Sequence, residues 1–168
     1  IEQEGTYPLP EAQLDRFMFL IEVGYPSEAD EVEIVRQTTG ATSAKLNAVL
    51  SIDEVLRFQE LVRRVPVPDS VVAFAVKLAR ATRPLESTVP AAKKLSWGAG
   101  PRASQSLVLA AKARAVLDGR FAASQADVSA VAAAVLAHRV VVSFQAQAQG
   151  TKARDVIGDI VKAVGSGG

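Results

Sequence analysis

The sequence predicts a mainly α fold: a helical bundle preceded by a short helix–strand remnant of an α/β domain. Three observations carry that reading. From Ser27 onward, apolar residues recur at helical spacing between Pro, Gly and capping residues. One run, Phe17-Met18-Phe19-Leu20-Ile21-Glu22-Val23, is almost continuously apolar and rich in aromatic and branched side chains, which predicts a strand covered on both faces. Nothing else in the chain offers that strand several partners, so its parent sheet is expected to lie elsewhere. The chain begins at Ile1 without an initiating Met and reads as the C-terminal piece of a longer protein. The organisation expected is residues 1–25 as the end of an α/β core, 26–164 as a helical domain and 165–168 as a flexible tail.

Pro8 and Pro10 stop any earlier helix and pre-set the first turn of a new one over Glu11-Ala12-Gln13-Leu14-Asp15, with Arg16 as its C-terminal cap. Tyr25-Pro26-Ser27 breaks the strand. Ser27 then caps a helix with Glu28, Asp30 and Glu31 in its first turn, Val32, Ile34 and Val35 on its buried face, and Gly40 at its end. After a polar link, Ser51-Ile52-Asp53-Glu54 opens a helix with Ile52, Val55, Leu56 and Val62 on one stripe, closed by Pro66 and Pro68. Asp69 is expected to cap a third helix, with Val71, Phe74, Ala75, Leu78 and Ala79 in register as far as Arg83-Pro84. No period is convincing from Leu85 to Gly100, which reads as a long loop.

Pro101 starts the next helix and Asp118-Gly119 ends it, with Leu107, Ala110 and Ala111 beside Leu109, Ala113, Val116 and Leu117. Ser124 to Asp127 is a capping signal for a helix whose Val128, Val131, Ala132, Val135 and Leu136 make the cleanest amphipathic stripe in the chain. Val140-Val141-Val142 suits a short extended piece. Thr151 to Ala163 carries Val156, Ile157, Ile160, Val161 and Val164 toward a Gly-Ser-Gly-Gly end.

With 168 residues there is chain enough for one core, or one core and the edge of a second. Lys+Arg 19 against Asp+Glu 18 leaves +1, so no net field recruits nucleic acid or an anionic membrane. Zero cysteines exclude disulfides and thiolate metal sites and suit a reducing, cytoplasmic compartment. No apolar run approaches the ~20 residues a membrane helix needs. His138 is the single histidine, which rules out a multi-histidine metal site and fits a dipole-compensating cap at a helix C-terminus. Gly98-x-Gly100-x-x-Ala103 superficially fits a dinucleotide fingerprint, but no βαβ unit surrounds it and Pro101 sits inside it.

Arg102 most needs explaining. Pro101 at the first helical position puts it in the first turn, where the macrodipole disfavours a cation by ~0.3–1 kcal/mol. A helix N-terminus presents free N–H groups, so an arginine there, with Gly98 and Gly100 allowing close backbone approach, makes a candidate phosphate site. The simpler alternative is a solvated arginine paired with a nearby acid. For Arg16 the ordinary explanation is a helix C-cap pairing with Asp15 or Glu11.

The run Gly5-Thr6-Tyr7-Pro8-Leu9-Pro10-Glu11-Ala12-Gln13-Leu14-Asp15-Arg16-Phe17 closely resembles the segment after the sensor 1 asparagine in MoxR-type AAA+ ATPases. Gly98-Ala99-Gly100-Pro101-Arg102-Ala103 is similar to that family's sensor 2 motif, with Gly100 where a Ser is usual. His138-Arg139, followed by the polar run Gln145 to Gly150, is a third and weaker match. The resemblance implies the end of the AAA+ core followed by the helical lid. It implies Arg102 as sensor 2 on the nucleotide's terminal phosphate and Arg16 as an arginine finger acting on the neighbouring protomer's γ-phosphate. It further implies ATP and Mg2+ as cofactors of the full-length protein and self-assembly into a hexameric ring. Chaperone-like remodelling of a client protein complex follows, with von Willebrand factor A-domain proteins as partners. Glu2, Glu4 and Glu11 are candidates for inter-subunit contacts. No Gly-x-x-x-x-Gly-Lys-Ser/Thr loop and no apolar strand ending in paired acids occur in the sequence, so the chain alone is expected to be inactive. Two other readings remain open: a non-catalytic helical interaction module, and the lid of a magnesium-chelatase-like AAA+ subunit.

Overall fold

The computed structural model describes residues 9–41 and 45–166. The expectations placed on Glu2, Glu4, the Gly5–Pro8 part of the first motif and the final two glycines lie outside those residues. The chain divides into two compact units, one formed by residues up to Leu20 together with Leu61 onward, the other by Ile21–Glu60.

The first unit is a helical bundle. Short α1 (Glu11–Leu14) is followed, beyond residue 60, by α4 (Asp69–Ala81), a 3-10 turn at Pro90–Lys94, β1 (Leu95–Trp97), α5 (Pro101–Leu117), α6 (Gln125–Leu136), β2 (Val141–Val142), α7 (Phe144–Ala148) and α8 (Ala153–Gly165). Its core is where the stripes predict it. Val71, Phe74, Ala75, Leu78 and Ala79 of α4 are buried, as are Leu107, Ala110 and Ala111 of α5, Val128, Ala132, Val135 and Leu136 of α6, and Val156, Ile157, Ile160 and Val164 of α8. Much of the α5 and α6 contribution is alanine, and small side chains let helix axes come close. Leu117, expected on the α5 stripe, is exposed.

Caps set the boundaries. Ser124 and Asp127 close a reciprocal box at the start of α6: the Asp127 amide donates to Ser124 Oγ at 3.3 Å and the Ser124 amide donates to Asp127 Oδ2 at 2.9 Å. Gly119, at φ +68°, turns the chain out of α5 in a conformation that suits glycine. Asp69 is the first residue of α4 and not its cap: Pro68 holds that position in extended geometry, and Asp69 only places an acid at the positive end. The tail begins later than expected, since α8 runs to Gly165 and Ser166 Oγ donates to Lys162 O.

Two further expectations are corrected in this unit. The loop over 85–100 contains the 3-10 turn and β1, which pairs antiparallel with β2, Leu95 opposite Val142 and Trp97 opposite Val141. A three-residue strand with one irregular step is too short for any period to show in sequence. The strand expected at Phe17–Val23 is not formed: β1 and β2 are the only strands among the described residues. Phe17, Phe19, Leu20, Ile21 and Val23 are exposed, and Met18 alone tucks against the core. In place of a strand ladder, the Leu20 amide donates to Ala134 O of α6 at 2.8 Å.

The second unit holds α2 (Glu28–Thr39) and most of α3 (Ile52–Arg64). Its caps match expectation. Ser27 Oγ accepts from the Asp30 amide, Ser51 Oγ accepts from the Glu54 amide, and Glu54 returns the favour by accepting from the Ser51 amide at 2.7 Å. Its expected buried faces are not buried: Val32, Ile34, Val35, Ile52, Val55 and Leu56 are all exposed.

Candidate functional site

The loop that delivers Arg102 is held by the end of α4. Thr82, fully buried at the α4 C-cap, donates from Oγ1 to Ala79 O at 2.7 Å and accepts from the Ala99 amide at 2.8 Å. Arg83 Nε donates to Ala99 O at 3.2 Å, so both polar groups of the Ala99 backbone are fixed. Gly98 is obligatory here for packing: a Cβ would lie 2.6 Å from both Arg83 Cα and Thr82 O. The close approach that the sequence suggests for a ligand is made, at Gly98, to the protein's own backbone. Gly100 is different. It caps α5 in extended geometry with open space where a Cβ would be, so its replacement of the usual Ser forgoes a cap hydroxyl at a cost of a few tenths of a kcal/mol.

From this loop α5 starts with Pro101, and Arg102 stands exposed in the first turn without an ion pair to any acid among the described residues. Gly98, Gly100 and Trp97 line one wall of a cleft of about 320 Å3 whose other walls carry Glu11, Asp15, His138 and Arg139.

Arg16 directly follows α1. Asp15 occupies the C-cap position, and the Arg16 amide donates to Gln13 O at 3.0 Å. Its side chain is exposed, and the Asp15 carboxylate that a simple cap pair would use is taken by Arg139.

Arg139 is the residue that sequence reasoning passed over as more than a weak motif match. Its side chain is 1% exposed. Nε donates to Asp15 Oδ1 at 3.1 Å; Nη1 donates to Met18 O at 3.2 Å and to Val135 O; Nη2 donates to Asp15 O at 3.1 Å, Phe17 O at 2.7 Å and Ser106 Oγ at 3.2 Å. Burial pushes its pKa down, the Asp15 carboxylate pushes it back up, and the like charge of Arg102 adds to the downward push. The available signal was an arginine just past the strongest apolar stripe in the chain, where a guanidinium is either solvated or fully bonded.

His138 departs from the charged cap expected of it. It lies past the α6 C-cap Ala137, and Nε2 is 2.9 Å from Phe17 O, so Nε2 carries the proton and donates. Nδ1 is buried without a hydrogen-bond partner among the described residues. Desolvation, the largest influence, lowers the pKa, with the Phe17 contact opposing it. The ring is thus a neutral donor near pH 7. A second charged cluster, Asp127 with Arg120 (2.5 Å) and Arg114 (3.4 Å), is an internal brace: Arg120 holds the Asp127 carboxyl far below the usual carboxylate range.

The donor set fits an oxyanion. A first-turn guanidinium without an acid partner among the described residues, beside amides that helix geometry leaves free, suits a terminal phosphate. Among the described residues there is no cluster of three or more His, Cys, Asp or Glu side chains that could hold a metal ion. Among those residues, no helix is long and apolar enough to cross a membrane.

Comparison with known proteins gives the chain its relatives. Residues 90–160 match the AAA lid domain family. Chaperone MoxR1 of Mycobacterium tuberculosis is 39% identical over 98% of the chain, and the uncharacterised protein YeaC of Bacillus subtilis is 33% identical over 98%. The chain spans about half the length of these relatives, 44% and 49% respectively. A crystal structure of an ATPase candidate from Cytophaga hutchinsonii superposes with a TM-score of 0.87 at 33% identity, over 96% of this chain and 50% of that one. By these likenesses the chain fits a C-terminal portion of a MoxR-like AAA+ protein, with residues 90–160 matching the AAA lid domain.

Proposed function

We propose that the chain is the lid-bearing part of an ATPase that couples ATP binding and hydrolysis to chaperone-like remodelling or maturation of a client protein complex. Arg102 is its sensor 2 and contacts the terminal phosphate; Gly98, Gly100 and Pro101 build the loop that presents it. Arg16 is an arginine finger acting in trans on the neighbouring protomer of a hexameric ring, where a fixed guanidinium stabilises charge spread over the transferring phosphoryl oxygens. The single observation behind this reading is Arg102, an exposed cation without an acid partner among the described residues, in the first turn of α5 and anchored by a loop that Thr82 and Arg83 hold on both sides.

ATP and Mg2+ are cofactors of the full-length protein. The phosphate loop and paired acids that hold them are absent from this sequence, so the chain alone hydrolyses nothing. The ring works in the cytoplasm, and its clients are complexes awaiting a metal or cofactor, with von Willebrand factor A-domain proteins as partners. Neither nucleic acid nor membrane insertion belongs to this reading.

The test is steady-state ATP hydrolysis by the full-length ring. Arg16→Ala is expected to lower kcat by roughly 10³-fold or more, while Arg102→Ala weakens both nucleotide affinity and turnover. Rings mixed from Arg16→Ala and wild-type protomers should lose activity according to neighbour placement. Wild-type turnover in both variants would overturn the assignment.

A further inference from the structure

We propose that Arg139 is a positioning residue that ties the two phosphate-directed arginines, Arg16 and Arg102, into one body. This rests on the roles just given to them. The argument starts from which groups the guanidinium contacts. Nη2 donates to Asp15 O and Phe17 O, the carbonyls of the residues before and after Arg16. The peptide plane that enters Arg16 and the one that leaves Phe17 are thereby oriented, which brackets Arg16, while its side chain is exposed. Nε and Nη1 add Asp15 Oδ1 and Met18 O, so residues 15–18 are gripped at four points by one rigid planar fork.

The same Nη2 reaches Ser106 Oγ on α5 at 3.2 Å. Ser106 lies four residues after Arg102, on the same face of that helix and one turn along. Val135 O of α6 supplies the remaining acceptor. One side chain therefore meets the segment bearing Arg16, the helix bearing Arg102 and the helix that backs them. Burying an arginine is no route to stability that a well-packed apolar residue could not match. What an apolar residue cannot do is fix carbonyl directions on both sides of Arg16. His138 at Phe17 O and Arg154 at Leu20 O (3.5 Å) extend the grip along the same segment.

A displacement of about 1 Å in a catalytic group can cost roughly 10²-fold in rate, so loosening this clamp reads out in turnover. The experiment is a double-mutant cycle in the full-length protein, with Mg-ATP as substrate under single-turnover conditions. Ser106→Ala removes one bond and leaves the buried charge paired. It is expected to lower the hydrolysis rate about 3–10-fold, the size of one hydrogen bond, with the KM for ATP within about twofold and thermal unfolding unchanged. In an Arg16→Ala background the same change is expected to have almost no effect. Arg139→Lys, which keeps the charge and loses the fork, should fall further in rate. If that variant fails to fold, the Ser106 cycle decides alone. Equal factors for Ser106→Ala in both backgrounds, or no loss in either, would overturn the proposal. An Arg16→Ala protein as active as wild type is a distinguishable result: it removes the finger assignment itself, and the clamp's role with it.

Discussion

The two units of this chain carry helices of similar pattern and opposite outcome. α3 has as clean an apolar stripe as α8, yet Val156, Ile157 and Ile160 on α8 are fully buried while Ile52, Val55 and Leu56 on α3 are exposed. Both have good first-turn acids, and α3 has the better cap. Local chemistry thus decides that a helix forms and where it begins; what covers its apolar face is a separate matter that only tertiary structure settles.

The sharpest way to break that comparison is to truncate one leucine on each side. Leu136→Ala on α6, where the side chain is fully buried, is expected to destabilise by about 2–5 kcal/mol in denaturant unfolding. Leu56→Ala on α3, 52% exposed, should stay within about 0.5 kcal/mol. A loss at Leu56 equal to that at Leu136 would mean that the α3 face is covered in solution and that the difference between the units is not intrinsic.

Legibility from sequence follows the same divide. The boundaries of α2, α3, α5 and α6 were readable because Ser27, Ser51, Pro101 and Ser124 act within three residues of themselves. The bundle core was readable because its helices cover one another. The fate of Phe17–Val23 was not: composition says strand, and whether a strand forms depends on a neighbour that no property of those residues supplies. Arg139 was hidden for the same reason, since its acceptors at residues 15–18 lie more than 120 positions away. The packing need at Gly98 was not readable either, because the Thr82 and Arg83 backbone that takes up the space is distant in sequence.

A smaller effect comes from the brace at the far end of the bundle. Asp127 is buried and joins a cap to two arginines that are partly solvated. Asp127→Asn keeps the shape and removes the charge, and is expected to cost about 2–3 kcal/mol, below the ~3–5 of a fully buried pair because the arginines can hydrate. The pH dependence has a definite sign. The folded-state pKa is depressed, so this contribution is complete above the ordinary aspartate value of about 3.9 and is lost as pH falls below it toward the folded pKa. Acid unfolding curves of the wild type should show that loss, and the Asn variant should lack it. The corresponding box in the other unit, Ser51 with Glu54, is exposed, so Glu54→Gln should cost only a fraction as much.

The smallest effect lies at the join between residues 15–20 and the bundle. His138 is lowered in the folded state, so the folded form binds fewer protons than the unfolded one around the ordinary histidine pKa of about 6.5. Stability from this contact is present above that value and diminishes as pH falls through it. Protonation would place a second N–H at the buried Nδ1, which has no acceptor among the described residues, beside the Arg139 cation, with Asp15 as an opposing charge. The observable is the protection of the Leu20 amide, bonded to Ala134 O, after correction for the intrinsic pH dependence of exchange. It should decline between pH 7.5 and 5.5 in the wild type. His138→Gln, which can still donate to Phe17 O and does not titrate, should flatten the profile. A wild-type profile as flat as the Gln variant's would show that Arg139 holds residues 15–18 without help from its neighbour.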